Sequence, residues 1–395
     1  MSCPSGARNS PRNKMKGFKV MIRFRSVAIA AAALAALSLC AQAQTTLKDA
    51  YKNFFYIGTA VSQAQFNEQD ARGNPIIAAQ FNTISPENVL KWESVHPRVD
   101  GYAFEQADRY VAYGEKYHMW IVGHNLVWHS QTPQWVFQDD KGGPLTRDAL
   151  LQRMHDHIMT VVGRYKGRIQ SWDVVNEALN EDGTLRNSNW RKIIGDDYLA
   201  KAFQYAHEAD PKAELNYNDY NLENEAKRNG AVALVKQLKD QGIPITAVGL
   251  QGHDNMEWPT LQQQDDTIAA FKALGVKVCI TELDVDVLPA AGRAPTADVS
   301  ATAAGTANSN PYVNGLPDAV QQALAKRYAD LFGVYLKYRG TVTRVTLWGV
   351  TDGDSWKNDF PVRGRTNYPL LFDRAGKAKP AVDALIKAAR AAAGH

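Results

Sequence analysis

The chain has 395 residues, with 45% hydrophobic and 10% aromatic side chains, and 45 Lys and Arg against 41 Asp and Glu. This composition is typical of a folded globular chain and excludes a disordered or fibrous one. Residues 1–43 hold seven basic and no acidic side chains, so the remaining 352 residues carry 38 basic and 41 acidic ones, a net charge of −3. Nucleic acids and anionic lipids bind basic surfaces, and we expect neither as a partner.

The beginning of the chain is typical of a secretory signal peptide. A basic stretch precedes an apolar run over residues 27–39, which is shorter than the span of about 20 residues that a bilayer requires. Ala41-Gln42-Ala43 then fits the cleavage rule. We expect residues 1–43 to be removed and the protein to be exported to the periplasm or the medium, with no membrane segment left. A buried helix is a weaker alternative, as is lipid attachment at Cys40, because bulky Leu39 precedes it.

Cleavage would leave Cys279 as the one cysteine of the mature chain, so no intramolecular disulfide is expected. An exported protein without disulfides depends on its own core. A chain of this length buries roughly three quarters of the surface that it exposes when unfolded. We therefore expect residues 44–395 to fold as one domain.

Eight short β-branched or apolar runs alternate with helical patterns along this domain. The expected strands cover residues 57–61, 82–85, 120–123, 169–175, 214–217, 247–250, 278–281 and 344–347. Among the helical patterns, Leu199, Ala202, Phe203 and Ala206 recur on one face before Asp210-Pro211. Eight such units predict an α/β fold, a single (β/α)₈ TIM barrel. The alternative is an open doubly wound sheet, but the first run lacks its Gly-rich phosphate loop.

One segment interrupts the alternation. Residues 289–311 contain eight Ala and three Pro and show no helical stripe. This composition favours a flexible loop over about 289–316. Because it follows the seventh expected strand, it would lie at the carboxyl rim of the barrel.

Side chains suited to hydrogen bonding or stacking follow seven of the eight expected strands. They are Glu87 and Asn88, His124, Asn176 and Glu177, Asn218 and Asp219, Gln251 and His253, Glu282 and Asp284, and Trp348. Each carboxylate taken alone also fits a helix N-cap. Because the active sites of such barrels lie at the carboxyl ends of the strands, the repetition predicts an active-site cleft.

Glu177 and Glu282 both follow strongly apolar runs, so both are expected to be partly desolvated. Desolvation raises the pKa of a carboxyl, whereas hydrogen-bond donors keep it ionised. His253, between the two in chain order, would donate to Glu282 and keep it charged while Glu177 stays protonated. Glycosidic bond cleavage requires such a pair, and a separation of about 5 Å predicts retention, whereas a wider gap predicts inversion.

The tryptophans indicate a sugar ligand. Trp92, Trp128, Trp348 and Trp356 lie at or just after expected strand ends, and we expect them in the cleft, because flat rings cover the apolar face of a pyranose. Trp120 and Trp172 stand within expected strands and are assigned to the core.

No metal and no cofactor are expected, although nine His are present. His155 and His157 point to different faces of an expected helix, which does not match the ligand spacing of a zinc hydrolase. Both are expected at the helix surface.

Seven motifs resemble, in this order, those of glycoside hydrolase family 10, whose members are mainly endo-β-1,4-xylanases. They are Glu87-Asn-Val-Leu-Lys-Trp92, Gly123-His-Asn-Leu-Val-Trp-His129, Trp172-Asp-Val-Val-Asn-Glu177, Asn218-Asp-Tyr-Asn221, Gly249-Leu-Gln-Gly-His253, Ile280-Thr-Glu-Leu-Asp284 and Leu347-Trp-Gly-Val-Thr-Asp352. The resemblance implies a barrel that hydrolyses xylan and xylo-oligosaccharides with retention, with Glu177 as the acid/base and Glu282 as the nucleophile. It implies no partner protein.

The same resemblance implies further substrate contacts. The subsite of the cleaved sugar would be lined by Asn176, His124 and Trp128, with Trp348 and Trp356 above it. Gln251 and His253 would lie beside the nucleophile. The next xylose outward would bind to Glu87, Asn88 and Lys91, and Tyr217 would lie on the leaving-group side. One alternative remains open, a related retaining barrel that acts on β-glucan, whose hydroxymethyl group needs more space. A sugar-binding barrel without activity would lack one of the two carboxylates, and both Glu177 and Glu282 are present.

Overall fold

The computed structural model describes residues 45–289, 302–306 and 308–394. The expected signal peptide and residues 290–301 of the Ala-rich segment lie outside the described residues. The described chain from Thr46 onward forms one compact unit. None of the helices within these ranges has both the length and the apolar character needed to cross a bilayer.

Parallel strands form a closed barrel. The strands in the described residues are β1 (Tyr56–Val61), β2 (Thr83–Pro86), β3 (Trp120–Trp128), β4 (Ser171–Asn176), β5 (Glu214–Asp219), β6 (Ala247–Leu250), β7 (His253–Asn255), β8 (Lys277–Asp286) and β9 (Val342–Leu347). Strands β1 to β6 pair in order, β6 pairs with β8, β8 with β9, and β9 with β1. Short β7 pairs with β8 outside this ring. The barrel and all eight expected strands are confirmed.

Helices surround the barrel. In the described residues they are α1 (Leu47–Tyr51), α2 (Gln63–Phe66), α3 (Gly73–Gln80), α4 (Trp92–Val95), α5 (Glu105–Lys116), α6 (Arg147–Arg164), α7 (Asn189–Ile194), α8 (Tyr198–Ala209), α9 (Glu225–Asp240), α10 (Leu261–Ala273), α11 (Asp318–Lys337) and α12 (Pro380–Ala393), with 3₁₀ turns at Gln134–Phe137 and Trp356–Asn358. Local sequence sets several helix starts, since the Thr146 hydroxyl accepts from the N–H of Ala149 and Thr260 forms a capping box with Gln263. Helix α8 buries the expected stripe and ends at Asp210.

The barrel interior contains a layer of hydrogen-bonded polar side chains. The Asn216 amide donates to Ser171 Oγ at 3.0 Å and to Asp173 Oδ1 at 3.1 Å. The Thr281 hydroxyl donates to Asn218 Oδ1 at 2.6 Å. Hydrogen bonds between buried polar groups restrict the orientations of their side chains. This layer therefore holds the strand ends above it in a defined arrangement.

The described end of the Ala-rich segment packs against the region after β9. The N–H of Ala303 donates to the carbonyl of Pro361 at 2.6 Å, and the N–H of Thr366 donates to Asn310 Oδ1 at 2.9 Å. The Tyr368 hydroxyl donates to the carbonyl of Tyr312 at 2.9 Å. Flexibility of this segment stays a prediction, because residues 290–301 lie outside the described residues.

Replacing Gly123 should destabilise the barrel. Gly123 on β3 lies opposite Trp172 on β4, and a Cβ at Gly123 would lie 2.1 Å from Trp172 Cε3. Because Trp172 is fully buried, we expect Gly123→Ala to lower the free energy of unfolding by about 1–3 kcal/mol in urea titrations. Gly163→Ala on α6 is the control, because a Cβ there meets nothing within 4 Å. Equal destabilisation by both substitutions would contradict the explanation.

Candidate active site

The side chains of Glu177 and Glu282 lie at the carboxyl end of the barrel on separate strands. Glu177 directly follows β4, and Glu282 lies within β8. Both are almost fully buried, with 7% and 5% of their surface exposed. Glu177 has a φ of +56°, in the left-handed region that non-glycine residues rarely adopt. Backbone strain of this kind concentrates at functional sites.

The Glu177 carboxyl has two neutral hydrogen-bond donors. The Trp128 indole Nε1 donates to Oε2 at 2.9 Å, and the Gln251 amide Nε2 donates to Oε1 at 3.0 Å. Burial, followed by the negative charge of Asp219, raises the pKa of Glu177 although both donors favour the ionised form. Glu177 is therefore suited to keep a proton that it can give to a substrate.

The Glu282 carboxylate has one neutral and one charged neighbour. The Asn218 amide donates to Oε1 at 2.9 Å, and His253 Nε2 lies 3.2 Å from Oε2. The other ring nitrogen of His253, Nδ1, lies 3.2 Å from Asp284 Oδ2. Although burial opposes the charged ring, Asp284 and Glu282 raise the pKa of His253 to about 9. At neutral pH Glu282 therefore lies beside a protonated, positively charged imidazole.

Amide side chains connect the two carboxyls. The amide of Asn176 lies 2.8 Å from Nδ2 of Asn218 and 3.5 Å from Nε2 of Gln251. These two neighbours bond Glu282 and Glu177, respectively. One protonated and one ionised carboxyl across a cleft can donate a proton to one side of an acetal and act on its carbon from the other.

Aromatic and imidazole rings flank the carboxyls. Trp348 makes edge-to-face contacts with His124 and His253, at centroid distances of 5.6 Å and 6.4 Å. The Trp356 ring lies 4.8 Å from that of His253, and its Nε1 donates to Asp284 Oδ2 at 2.7 Å. His124 Nδ1 lies 2.9 Å from the carboxylate of Asp173. Trp348 and Trp356 are half-buried, so each retains accessible ring surface.

A second polar group adjoins the carboxyls. Lys91 Nζ donates to Asn88 Oδ1 at 2.9 Å and to Gln131 Oε1 at 2.7 Å, and it lies 5.2 Å from the Trp128 ring centre. Burial lowers the pKa of Lys91, whereas the charges of Glu282 and Glu177 oppose that shift. Burial, followed by the charge of Asp354, raises the pKa of Glu87 to about 7. Glu87, Asn88 and Lys91 therefore place two titratable groups and an amide beside the two carboxyls.

Trp92 does not line the cleft, which corrects the expectation from the sequence. It belongs to the hydrophobic core, with 2% of its surface exposed, and stacks on the His157 ring at 3.6 Å. His157 is fully buried as well, so its expected surface position is also wrong. The sequence contained a pattern that predicts the burial of His157, because this residue continues the buried face of Leu150 and Met154 on α6.

Tyr217 does not line the cleft either, which corrects its expected position on the leaving-group side. It is fully buried in the core, and its hydroxyl donates to Asp219 Oδ2. Successive side chains on a strand point to opposite faces. Since Asn216 and Asn218 bond to groups inside the barrel, Tyr217 between them faces the helices.

One residue of the site was expected at the rim without an assigned role, and two others were not selected from the sequence. Asn218 was expected at a strand end and proves to be a donor to Glu282. Asp173, which contacts His124, lies within a strand and carried no separate signal. Gln131, which accepts from Lys91, lies in the loop after β3 with a φ of +44°, and only tertiary structure identifies it.

In the described part of the chain, no group of three or more His, Cys, Asp or Glu side chains is arranged to hold a metal ion.

Comparisons with known proteins agree on one family. The profile described as glycosyl hydrolase family 10 matches residues 46–388. Endo-1,4-beta-xylanase A of Xylanibacter ruminicola is 46% identical over 351 residues, covering 89% of this chain and 95% of the relative. A solved GH10 endoxylanase from a sugarcane soil metagenome has a TM-score of 0.83 and 50% identity, covering 86% of this chain and 99% of its own. Another solved structure, a mutant in complex with xylotriose, has a TM-score of 0.78 and 36% identity, covering 87% and 99%.

The charge of His253 should be measurable by nitrogen NMR titration. We expect a pKa of about 9, and Asp284→Asn should lower it because the Asp284 carboxylate is the main group raising it. The folded pKa exceeds the ordinary value of 6.5. The contribution of His253 to stability is therefore complete below pH 6.5 and is lost as the pH rises through 9. Asp383→Asn, on the exposed face of α12, is the matched control. A pKa at or below 6.5 in the parent protein would contradict this charge assignment.

Proposed function

The chain belongs to glycoside hydrolase family 10, and from this membership and the geometry of its site we propose that it is an endo-β-1,4-xylanase that cleaves internal xylosidic bonds with retention of configuration. The observation that carries the proposal is the contrast between the two carboxyls. Glu177 has neutral donors and a raised pKa, whereas Glu282 lies beside an imidazole whose pKa is about 9. The family relatives that bear the name xylanase support the choice of substrate.

In the proposed first step, Glu177 protonates the glycosidic oxygen as the bond to the leaving xylose breaks. Its burial favours the protonated form before reaction. The Trp128 and Gln251 donors favour the ionised form, so they stabilise the carboxylate that appears as the proton leaves. Glu177 can therefore give up its proton in this step and take one back in the next.

Glu282 then acts as the nucleophile and forms a covalent bond to the anomeric carbon. Its oxygens are held by Asn218 and by the charged ring of His253, which fixes the direction of attack. In the second step, Glu177 as a carboxylate removes a proton from water, which attacks the same carbon and releases Glu282. Two inversions at one carbon give net retention.

The flanking groups fit a xylose chain. The accessible faces of Trp348 and Trp356 offer flat surface to pyranose rings, and His124 and Asn176 supply hydrogen-bonding groups near the cleaved sugar. Glu87, Asn88 and Lys91 would bind the next xylose outward, since they combine acceptors with a buried cation. The xylotriose in the solved relative supports a ligand of this class.

Proton NMR of xylotetraose hydrolysis tests the substrate and the stereochemistry together. We expect the β-anomer of the new reducing end to appear first and to equilibrate with the α-anomer afterwards. Cellotetraose run in parallel should react more slowly, because glucose carries an additional hydroxymethyl group. Initial release of the α-anomer would refute retention, and faster turnover of cellotetraose would refute the xylan assignment.

The acid role of Glu177 predicts a dependence on the leaving group. Glu177→Ala should lower kcat/KM for xylo-oligosaccharides by about 10²–10⁴-fold, with a much smaller loss on aryl xylobiosides whose leaving groups need no proton. Glu225→Ala, an exposed carboxylate in the first turn of α9, should leave both activities unchanged. Equal losses on the two substrate types in Glu177→Ala would rule out the role.

A further inference from the structure

The amino end of the barrel holds a second cavity, which the proposed reaction does not use. Its volume is about 440 Å³, within the usual range for small-molecule sites. We call it the amino-end cavity and define it by Tyr56, Asn82, Trp120, Glu214, Lys277 and Thr343. These residues lie at or next to the amino ends of β1, β2, β3, β5, β8 and β9. Because the strands are parallel, the cavity lies at the opposite end of the barrel from Glu177 and Glu282.

Two aromatic rings form one wall of the amino-end cavity. The rings of Tyr56 and Trp120 lie 5.0 Å apart at an angle of 34°. Tyr56 is 41% exposed, and among the large hydrophobic side chains exposed in the described residues it is the one aromatic. A tyrosine that only sealed the barrel would be buried, as Tyr51 is. The open face of Tyr56 is therefore available to a ligand.

Polar groups of mixed character also line the cavity, together with the cations Lys52 and Arg344. Glu214 accepts hydrogen bonds, Lys277 donates them, and Asn82 and Thr343 do both. Lys277 Nζ lies 3.5 Å from Glu214 Oε2, so part of the charge is neutralised within the wall. Flat rings surrounded by donors and acceptors suit a polyhydroxylated ring better than an apolar peptide. The cleft at the other end combines Trp348 and Trp356 with polar groups in the same way.

We propose that the amino-end cavity is a second xylan-binding site, at which a xylose ring of the polymer stacks on Tyr56 and Trp120 and bonds to the surrounding polar groups. This inference rests on the proposed xylanase function. A polymer long enough to contact both ends of one molecule, or the ends of two molecules, is retained by avidity, because the second contact forms at high effective concentration. The site would thus hold the enzyme on its substrate without taking part in cleavage.

The test compares a polymer with a short substrate. Tyr56→Ala should raise the KM for insoluble xylan by about threefold to tenfold, as loss of a second contact predicts. In native gels that contain soluble xylan, the variant should be retarded less than the parent protein. Its kcat/KM for an aryl xylobioside should equal that of the parent protein, since this substrate reaches only the cleft. Tyr56→Phe keeps the ring and should behave as the parent does. Trp120→Ala should reproduce Tyr56→Ala, with the melting temperature checked because Trp120 is half-buried.

Leu261→Ala is the matched control, because Leu261 is similarly exposed, at 38%, at the start of α10. Retardation of Tyr56→Ala equal to that of the parent would overturn the inference. Competition by polygalacturonate as strong as competition by xylan would also overturn the inference, because charge rather than ring stacking would then hold the polymer. A parent protein that fails to cleave the aryl xylobioside would instead refute the proposed function, so the two failures are distinguishable.

Discussion

The contrast between the surroundings of two buried carboxyls, Glu177 and Glu282, is the constraint on which the rest of this site depends. Burial by itself raises the pKa of a carboxyl, as it does for Glu177. A line of side chains with alternating charge lies behind Glu282: Lys357 Nζ lies 3.7 Å from Asp284, Asp284 lies 3.2 Å from His253, and His253 lies 3.2 Å from Glu282. Although burial opposes it, Lys357 and His253 lower the pKa of Asp284, which in turn keeps His253 charged. The two donors to the Glu177 carboxyl, Trp128 and Gln251, are by contrast neutral.

The barrel makes this arrangement possible by bringing distant parts of the chain to one rim. The donors and acceptors around the two carboxyls come from β3, β4, β5, β6, β7 and β8 or the residues directly after them. Below the rim, Asn216 on β5 donates hydrogen bonds to both Ser171 and Asp173 on β4. Such an interior is more polar than a barrel filled by branched apolar residues. Its hydrogen bonds relate the orientation of the strands to the orientation of the side chains at the rim.

The two ends of the barrel differ in what they can do. At the carboxyl end, buried titratable groups of opposite charge suit bond cleavage. At the amino end, Tyr56 and Trp120 share a wall with Glu214 and Lys277, and the carboxylate there is paired with a lysine. That end can bind a sugar ring but has no second carboxyl among the residues that define the cavity. Binding of the polymer and cleavage are thus placed at opposite ends of the barrel. A substitution that alters one of these activities can therefore leave the other undisturbed.

The sequence by itself determined the barrel, because eight apolar runs with intervening helical patterns leave few other ways to bury their surface. It also determined the positions of the two glutamates and of most residues at the rim, since the carboxyl ends of parallel strands meet at one edge. Only the tertiary structure decided which ring or amide faces the cleft. Trp92, Tyr217 and His157 turned out to lie in the core, and Gln131 reaches Lys91 from a loop. The reason is that strand position sets the end of the barrel on which a residue lies, whereas side-chain direction and loop reach depend on packing against residues far away in the chain.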